Sequence, residues 1–123
     1  MFKRPLKRMR TYLDGWFGYS VRRRLLDAAL ESERDEIMGR VVEIGSGNEG
    51  RRGRFVPPTA NVGHWMFLDL DAGLHPDTVA DVRDLPLKSG SIDTVICLEV
   101  LEYVSDSARA LAELSRILAP GGK

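Results

Sequence analysis

The segment Val41-Val42-Glu43-Ile44-Gly45-Ser46-Gly47-Asn48-Glu49-Gly50 limits the folds open to this chain more than any other. A short apolar run that stops at GxGxxG reads as a strand ending in a turn that lacks three Cβ atoms, where a nucleotide-like ligand can come close to the backbone. The glycines alone describe a tight turn equally well, so the neighbouring residues decide. Glu43 sits inside the apolar run. A second apolar run, His64 to Asp71, ends in acid, and Asp69 lies 24 residues after Gly45. That is close to the spacing of about 20 residues expected of a ribose-binding carboxylate in a βαβ unit. NAD and S-adenosylmethionine both carry a ribose diol, so the spacing leaves both open.

The rest of the chain reads as a single α/β domain, residues 20–123, preceded by a basic aromatic arm, residues 1–19. Net charge is zero, but residues 1–24 carry eight basic side chains against Asp14 alone, a net of +7. Interleaved with Phe2, Tyr12, Trp16, Phe17 and Tyr19, this charge suits contact of residues 1–24 with an anionic surface, or a solvated arm that covers the domain. Ser20 is placed to cap a helix whose apolar residues Val21, Leu25, Leu26, Ala29 and Leu30 recur three and four apart, with Gly39 as its stop. The first strand is Val41 to Ile44. Glycines and prolines between residues 48 and 63 leave at most a turn or two of helix over Glu49 to Phe55, and Arg51, Arg52 and Arg54 lie there as loop cations. Thr78 to Ala80 reads as a short third strand, and Ile92 to Leu98 as a fourth, apolar enough to be covered on both faces. Asp106 can cap a last helix with Ala110, Leu111, Leu114, Ile117 and Leu118 on its buried face.

Four segments in sequence order then carry a resemblance: VVEIGSGNEG, FLDLD, VADVRDLPL with GSIDTVICLEVLEYV, and LSRILAPGG. From Val41 to Gly122 the chain resembles a class I S-adenosylmethionine-dependent methyltransferase of the type 11 group. It departs from the commoner GxGxG by one extra residue, which predicts a wider turn at Asn48-Glu49-Gly50. The resemblance implies a Rossmann-like, three-layer αβα sheet in strand order 3-2-1-4, with the first helix flanking the cofactor pocket. It implies that Glu43, Gly45, Ser46, Gly47, Asp69, Leu70, Asp81, Val82, Leu98 and Glu99 surround S-adenosyl-L-methionine. Asp81 takes the position that reads the adenine amino group, Val82 offers its N–H to the ring, and Leu85 and Leu87 shield the adenine face. In relatives Pro120-Gly121-Gly122 leads into a fifth strand, so the fold reads as truncated, with Ile92 to Leu98 an unpaired edge open to self-association or a partner chain.

Methyl transfer from a sulfonium needs donor and acceptor held in line and water excluded, with no metal or covalent nucleophile. Glu99, Glu102 and Tyr103 are the candidate bases near the reacting methyl, since ligands bind outside the C-terminal edge of such sheets. A small-molecule acceptor is expected. His64 and His75 read as surface histidines, and Cys97, the one cysteine, as a buried thiol. No apolar run approaches the roughly 18–20 residues of a membrane span and no signal peptide is visible, so the chain reads as cytoplasmic. Three other readings stand beside the enzyme: a cofactor-binding fragment without catalysis, either a truncated relic or one part of a complex that a partner chain completes; an NAD-dependent enzyme; and a surface-binding protein run by its basic arm.

Overall fold

The computed structural model describes residues 20–47 and 53–123. The 1–19 arm, its contact with an anionic surface, the turn at Asn48 to Gly50, and Arg51 and Arg52 lie outside the described residues.

Four parallel strands form one sheet: β1 (Gly39–Ile44), β2 (Val62–Asp69), β3 (Thr78–Val79) and β4 (Thr94–Cys97), in the order β3-β2-β1-β4. That is the order the resemblance implies. Because side chains alternate across a strand, central β1 feeds both faces. Val42 and Ile44 meet Leu68, Val82, Leu85, Ile92, Ala110 and Ile117 on one side. Val41 meets Leu30, Ile37, Phe55 and Ile96 on the other. Helix α1 (Val21–Ser32) covers the second face and helix α2 (Ser107–Ile117) the first, which makes the three layers.

Both expected caps are present. Ser20 Oγ accepts the Arg23 N–H at 3.2 Å, and Asp106 Oδ1 accepts the Arg109 N–H at 3.0 Å. The helix faces differ from expectation. In α1, Val21 and Leu25 are 72% and 67% exposed, while Asp27 and Leu30 point inward. In α2, Leu111 is exposed because it stands about 100° around the helix from buried Ala110. Gly39 does not stop α1, which ends at Ser32 before a 3₁₀ turn at Arg34–Glu36. It opens β1 instead, at φ 70°, where a Cβ would strike the Asp93 carboxylate. That carboxylate is held by the Arg40 guanidinium and N–H, which keep its pKa near 2.

Three strand boundaries also shift. β2 starts and ends two residues earlier than the apolar run, because Asp71 leaves the sheet to cap the 3₁₀ turn Ala72–Leu74. β3 stops at Val79, before Ala80. β4 is shorter than Ile92 to Leu98: Ile92 instead bridges Leu118, exchanging hydrogen bonds with Ile117 and Ala119. The edge expected to be unpaired is engaged along its first half. Lys123 donates its N–H to Asp93 and accepts the Val95 N–H at 2.8 Å.

Candidate functional site

The site is built where β1 runs out. Gly45 and Gly47 take φ of 79° and 70°, left-handed values that favour glycine. A Cβ on Gly45 would overlap Val100 Cγ2, so the backbone of this turn lies directly against the segment after β4. Asp69, buried at the end of β2, braces the turn: Oδ2 accepts the Gly47 N–H at 2.8 Å and Oδ1 the Asp71 N–H at 3.0 Å. Glu43 is likewise buried, and its Oε2 accepts the Trp65 indole N–H at 3.0 Å. Two carboxylates are thus fixed beneath one end of the sheet. Ser46 Oγ is shut away from solvent and has no hydrogen-bond partner among the described residues.

Two cavities open at this end. The first, about 530 Å³, is lined by Arg22, Arg23, Glu43, Ser46, Leu98 and others. The second, about 320 Å³, has a more apolar wall of Leu70, Ala80, Val82, Val100 and Val104, with Asp69, Asp81, Arg83 and Ser105 at intervals. Ile44, Gly45, Glu99 and Tyr103 line both and form the partition. Glu99 is in the left-handed region at φ 57°, a conformation costing a non-glycine residue about 1–3 kcal/mol and one that clusters at functional sites. Its carboxylate reaches Arg22 Nε of α1 at 2.9 Å, tying the first helix to the end of β4.

Asp81 stands at the second cavity and is gripped by Arg83. Nε lies 3.0 Å from Oδ1, Nη2 lies 2.7 Å from Oδ2, and the Arg83 N–H donates to Oδ1 at 2.9 Å. The guanidinium and that N–H hold the Asp81 carboxyl down at about 2, so it is ionised and acceptor-only across the working pH range.

Of the residues named from sequence, Glu43, Ser46 and Leu98 line the first cavity, Asp69, Leu70, Asp81 and Val82 the second, and Gly45 and Glu99 both. Gly47 lies behind the wall, joined to Asp69. Tyr103 lines both cavities and is 81% exposed, whereas Glu102 is exposed and lines neither. Leu85 is buried in the core, its N–H donated to the Glu113 carboxylate at 2.8 Å, and Leu87 packs against the same core; neither lines the two cavities. Burial, aided by Glu102, pushes the Cys97 thiol up to about 11, as suits a packed thiol. Among the described residues no three metal-ligating side chains gather, and no helix is long and apolar enough to cross a membrane. Sequence reasoning missed three site residues. In the sequence Arg22 and Arg23 merge with the basic N-terminal segment, although their place on the first turn of a helix flanking the pocket is a signal. Arg83 carried no signal beyond lying two residues after Asp81.

The model of a family described as the methyltransferase domain matches residues 61–123, from β2 to the last residue. The chain belongs to that family. The methyltransferase domain is 41% identical over 56 residues to the ubiquinone biosynthesis O-methyltransferase of Xanthomonas euvesicatoria, covering 44% of this chain and 23% of that enzyme. Among solved structures it is similar to an S-adenosylmethionine-dependent methyltransferase from Mesorhizobium loti, with TM-score 0.59 and 27% identity over 77% of this chain and 49% of that one. A crystal structure from Methanococcus maripaludis superposes on 99% of the chain and 64% of its own length, with TM-score 0.68 and 18% identity, which is a likeness of fold. The domain therefore spans a quarter to two thirds of the length of these relatives.

Proposed function

We propose that this domain binds S-adenosyl-L-methionine and supports transfer of its methyl group to a small-molecule acceptor. The observation that carries the reading is the pair of cavities meeting at Gly45 and Glu99. Their combined volume falls within the roughly 300–1,000 Å³ of small-ligand sites. The donor sets of the two halves fit the two ends of the cofactor. The apolar slot has two carboxylate acceptors, Asp69 and Asp81, of the kind a ribose diol and a base amino group require, and Val82 lines the same wall. The polar half has Arg22 and Arg23, suited to an amino-acid carboxylate. When bound, the sulfonium supplies an activated methyl group whose departure leaves a neutral thioether. The chain's own residues position and desolvate: Gly45 permits close approach, and Leu70, Val82 and Val100 wall off water. Glu99 is already paired with Arg22, so it accepts a proton from an acceptor only if that pair opens.

A cytoplasmic setting belongs to the same proposal. Because the relatives are longer, a second reading is that these residues bind the cofactor and turn over only with further chain. Isothermal titration tests the first step. S-adenosylhomocysteine is expected to bind and NAD to leave it undisturbed; no heat with S-adenosylhomocysteine would overturn the proposal. Labelled-methyl transfer to a panel of hydroxyl and amine acceptors then separates the enzyme from the cofactor-binding piece.

A further inference from the structure

We infer that Arg83 is a positioning residue for base recognition: it fixes the Asp81 carboxylate so that one lone pair of Oδ2 faces the slot as the acceptor for a 6-amino purine. The inference rests on the cofactor reading above and goes beyond it.

A carboxylate offers about four acceptor directions. Oδ1 spends both of its own on Arg83, on the N–H at 2.9 Å and on Nε at 3.0 Å. Oδ2 takes Nη2 at 2.7 Å and only a long contact from Nε at 3.2 Å. The remaining direction is therefore on Oδ2.

The guanidinium doing the fixing is held elsewhere. Its Nη1 donates to Ser105 Oγ at 2.9 Å, and the Arg83 carbonyl accepts from Arg109 Nε at 3.0 Å. Ser105 and Arg109 flank the Asp106 cap of α2, so the fork that orients Asp81 is anchored to the more deeply packed of the two described helices. The backbone adds a third restraint, since Asp81 and Asp84 close a tight turn through the Asp84 N–H. A bidentate fork also restricts the carboxylate's rotation in a way a point charge does not.

An oriented, permanently ionised carboxylate accepts from an amino group and repels a carbonyl oxygen. Adenine presents a donor at position 6 and hypoxanthine an acceptor. A carboxylate free to rotate loses this contrast, because it can turn away from the carbonyl and admit water. Arg83 is half exposed, so its loss leaves the core intact.

The test is isothermal titration of the full chain with S-adenosylhomocysteine and with its inosine counterpart, in wild type, Arg83→Gln, Ser105→Ala and Asp81→Asn. Wild type is expected to favour the adenine ligand by about tenfold or more, the scale of one charge-assisted hydrogen bond. Arg83→Gln should collapse this ratio mainly by weakening the adenine ligand, and Ser105→Ala should lower it partway. A merely structural role would weaken both ligands together and leave the ratio standing, and that result overturns the inference. If Asp81→Asn abolishes the preference while Arg83→Gln keeps it, Asp81 reads the base and only the role of Arg83 fails. If both keep the wild-type ratio, the assignment of Asp81 itself falls.

Discussion

The two helices that sandwich the sheet are held in different ways. α2 lays Ala110 and Ile117, both fully buried, onto the larger apolar cluster with Val42, Ile44 and Leu68. α1 contributes Leu30 to a smaller cluster, leaves Val21 and Leu25 facing out, and buries Asp27. The Asp27 carboxylate accepts the Arg54 N–H at 2.9 Å through Oδ2, while Oδ1 has no partner among the described residues. The α2 face is packed for stability. The α1 face keeps polar groups where apolar ones would hold better, and it is the face that carries Arg22 and Arg23 to the first cavity. Elements that line or cover a site are commonly drawn from the less stable part of a fold.

The largest way to break this contrast is to cut α2. Ile117→Ala removes a completely buried side chain beneath β1, and such truncations cost about 2–5 kcal/mol through lost transfer energy and residual cavity. Chemical denaturation should show the loss as a lower midpoint at unchanged slope. A loss below about 1 kcal/mol would mean that the α2 face is not the principal core.

A second change falls where the α2 face meets the site. Gly45→Ala places a Cβ on Val100, which packs against the α2 cluster, and forces alanine to φ 79°. Backbone strain and overpacking each contribute about 1–3 kcal/mol, so the variant should be destabilised and should bind S-adenosylhomocysteine poorly. Wild-type stability and affinity together would show that the turn relaxes freely and that its glycine is not needed there.

Much of this arrangement was legible because it is written in local patterns. Ser20 and Asp106 were readable as caps, β1 as a strand delivering glycines, and the strand order followed from the four family segments. What could not be read depends on partners distant in sequence or on which side of a helix faces in. Val21, Leu25, Ala29 and Leu30 recur at helical spacing, yet periodicity alone does not say that the sheet will choose the stripe through Asp27 and Leu30. Arg22 and Glu99 are far apart in the chain, and only the fold brings them to 2.9 Å. The Leu85 N–H finds its acceptor in Glu113, 28 residues on. Asp69 was legible as an acid at the end of β2, but not that its two oxygens take the Gly47 and Asp71 N–H groups.

Acid should act more strongly on the α2 side. Glu113 accepts from the Arg116 fork at 2.7 and 2.9 Å and from the Leu85 N–H, and the guanidinium first, then that N–H, hold its carboxyl at about 2. A carboxyl depressed on folding stabilises the fold above its ordinary value near 4.3, and the contribution fades as pH falls toward about 2. Thermal melts should therefore lose Tm across that window in the wild type and lose less in Glu113→Gln. Arg40–Asp93 and Arg83–Asp81 act in the same window, so the difference between the two slopes isolates Glu113. Parallel slopes would mean that the fork at Glu113 does not survive in solution.

The smallest effect is expected on α1, and it sharpens the comparison because it is small. Leu25→Ala alters a side chain that is 67% exposed, so little apolar surface returns to water, and alanine's better helix propensity offsets part of what is lost. The change should stay within about 0.5 kcal/mol, as for ordinary surface positions. Amide exchange on the same variant gives the second half of the test. If α1 is held by Leu30 and a few polar links, its amides should exchange through local openings well before those of α2, which should exchange only near the global unfolding limit. Leu25→Ala would then change neither set. A loss above about 1 kcal/mol, or α1 amides as protected as those of α2, would show that Leu25 is buried in solution, and the two faces would be equivalent after all.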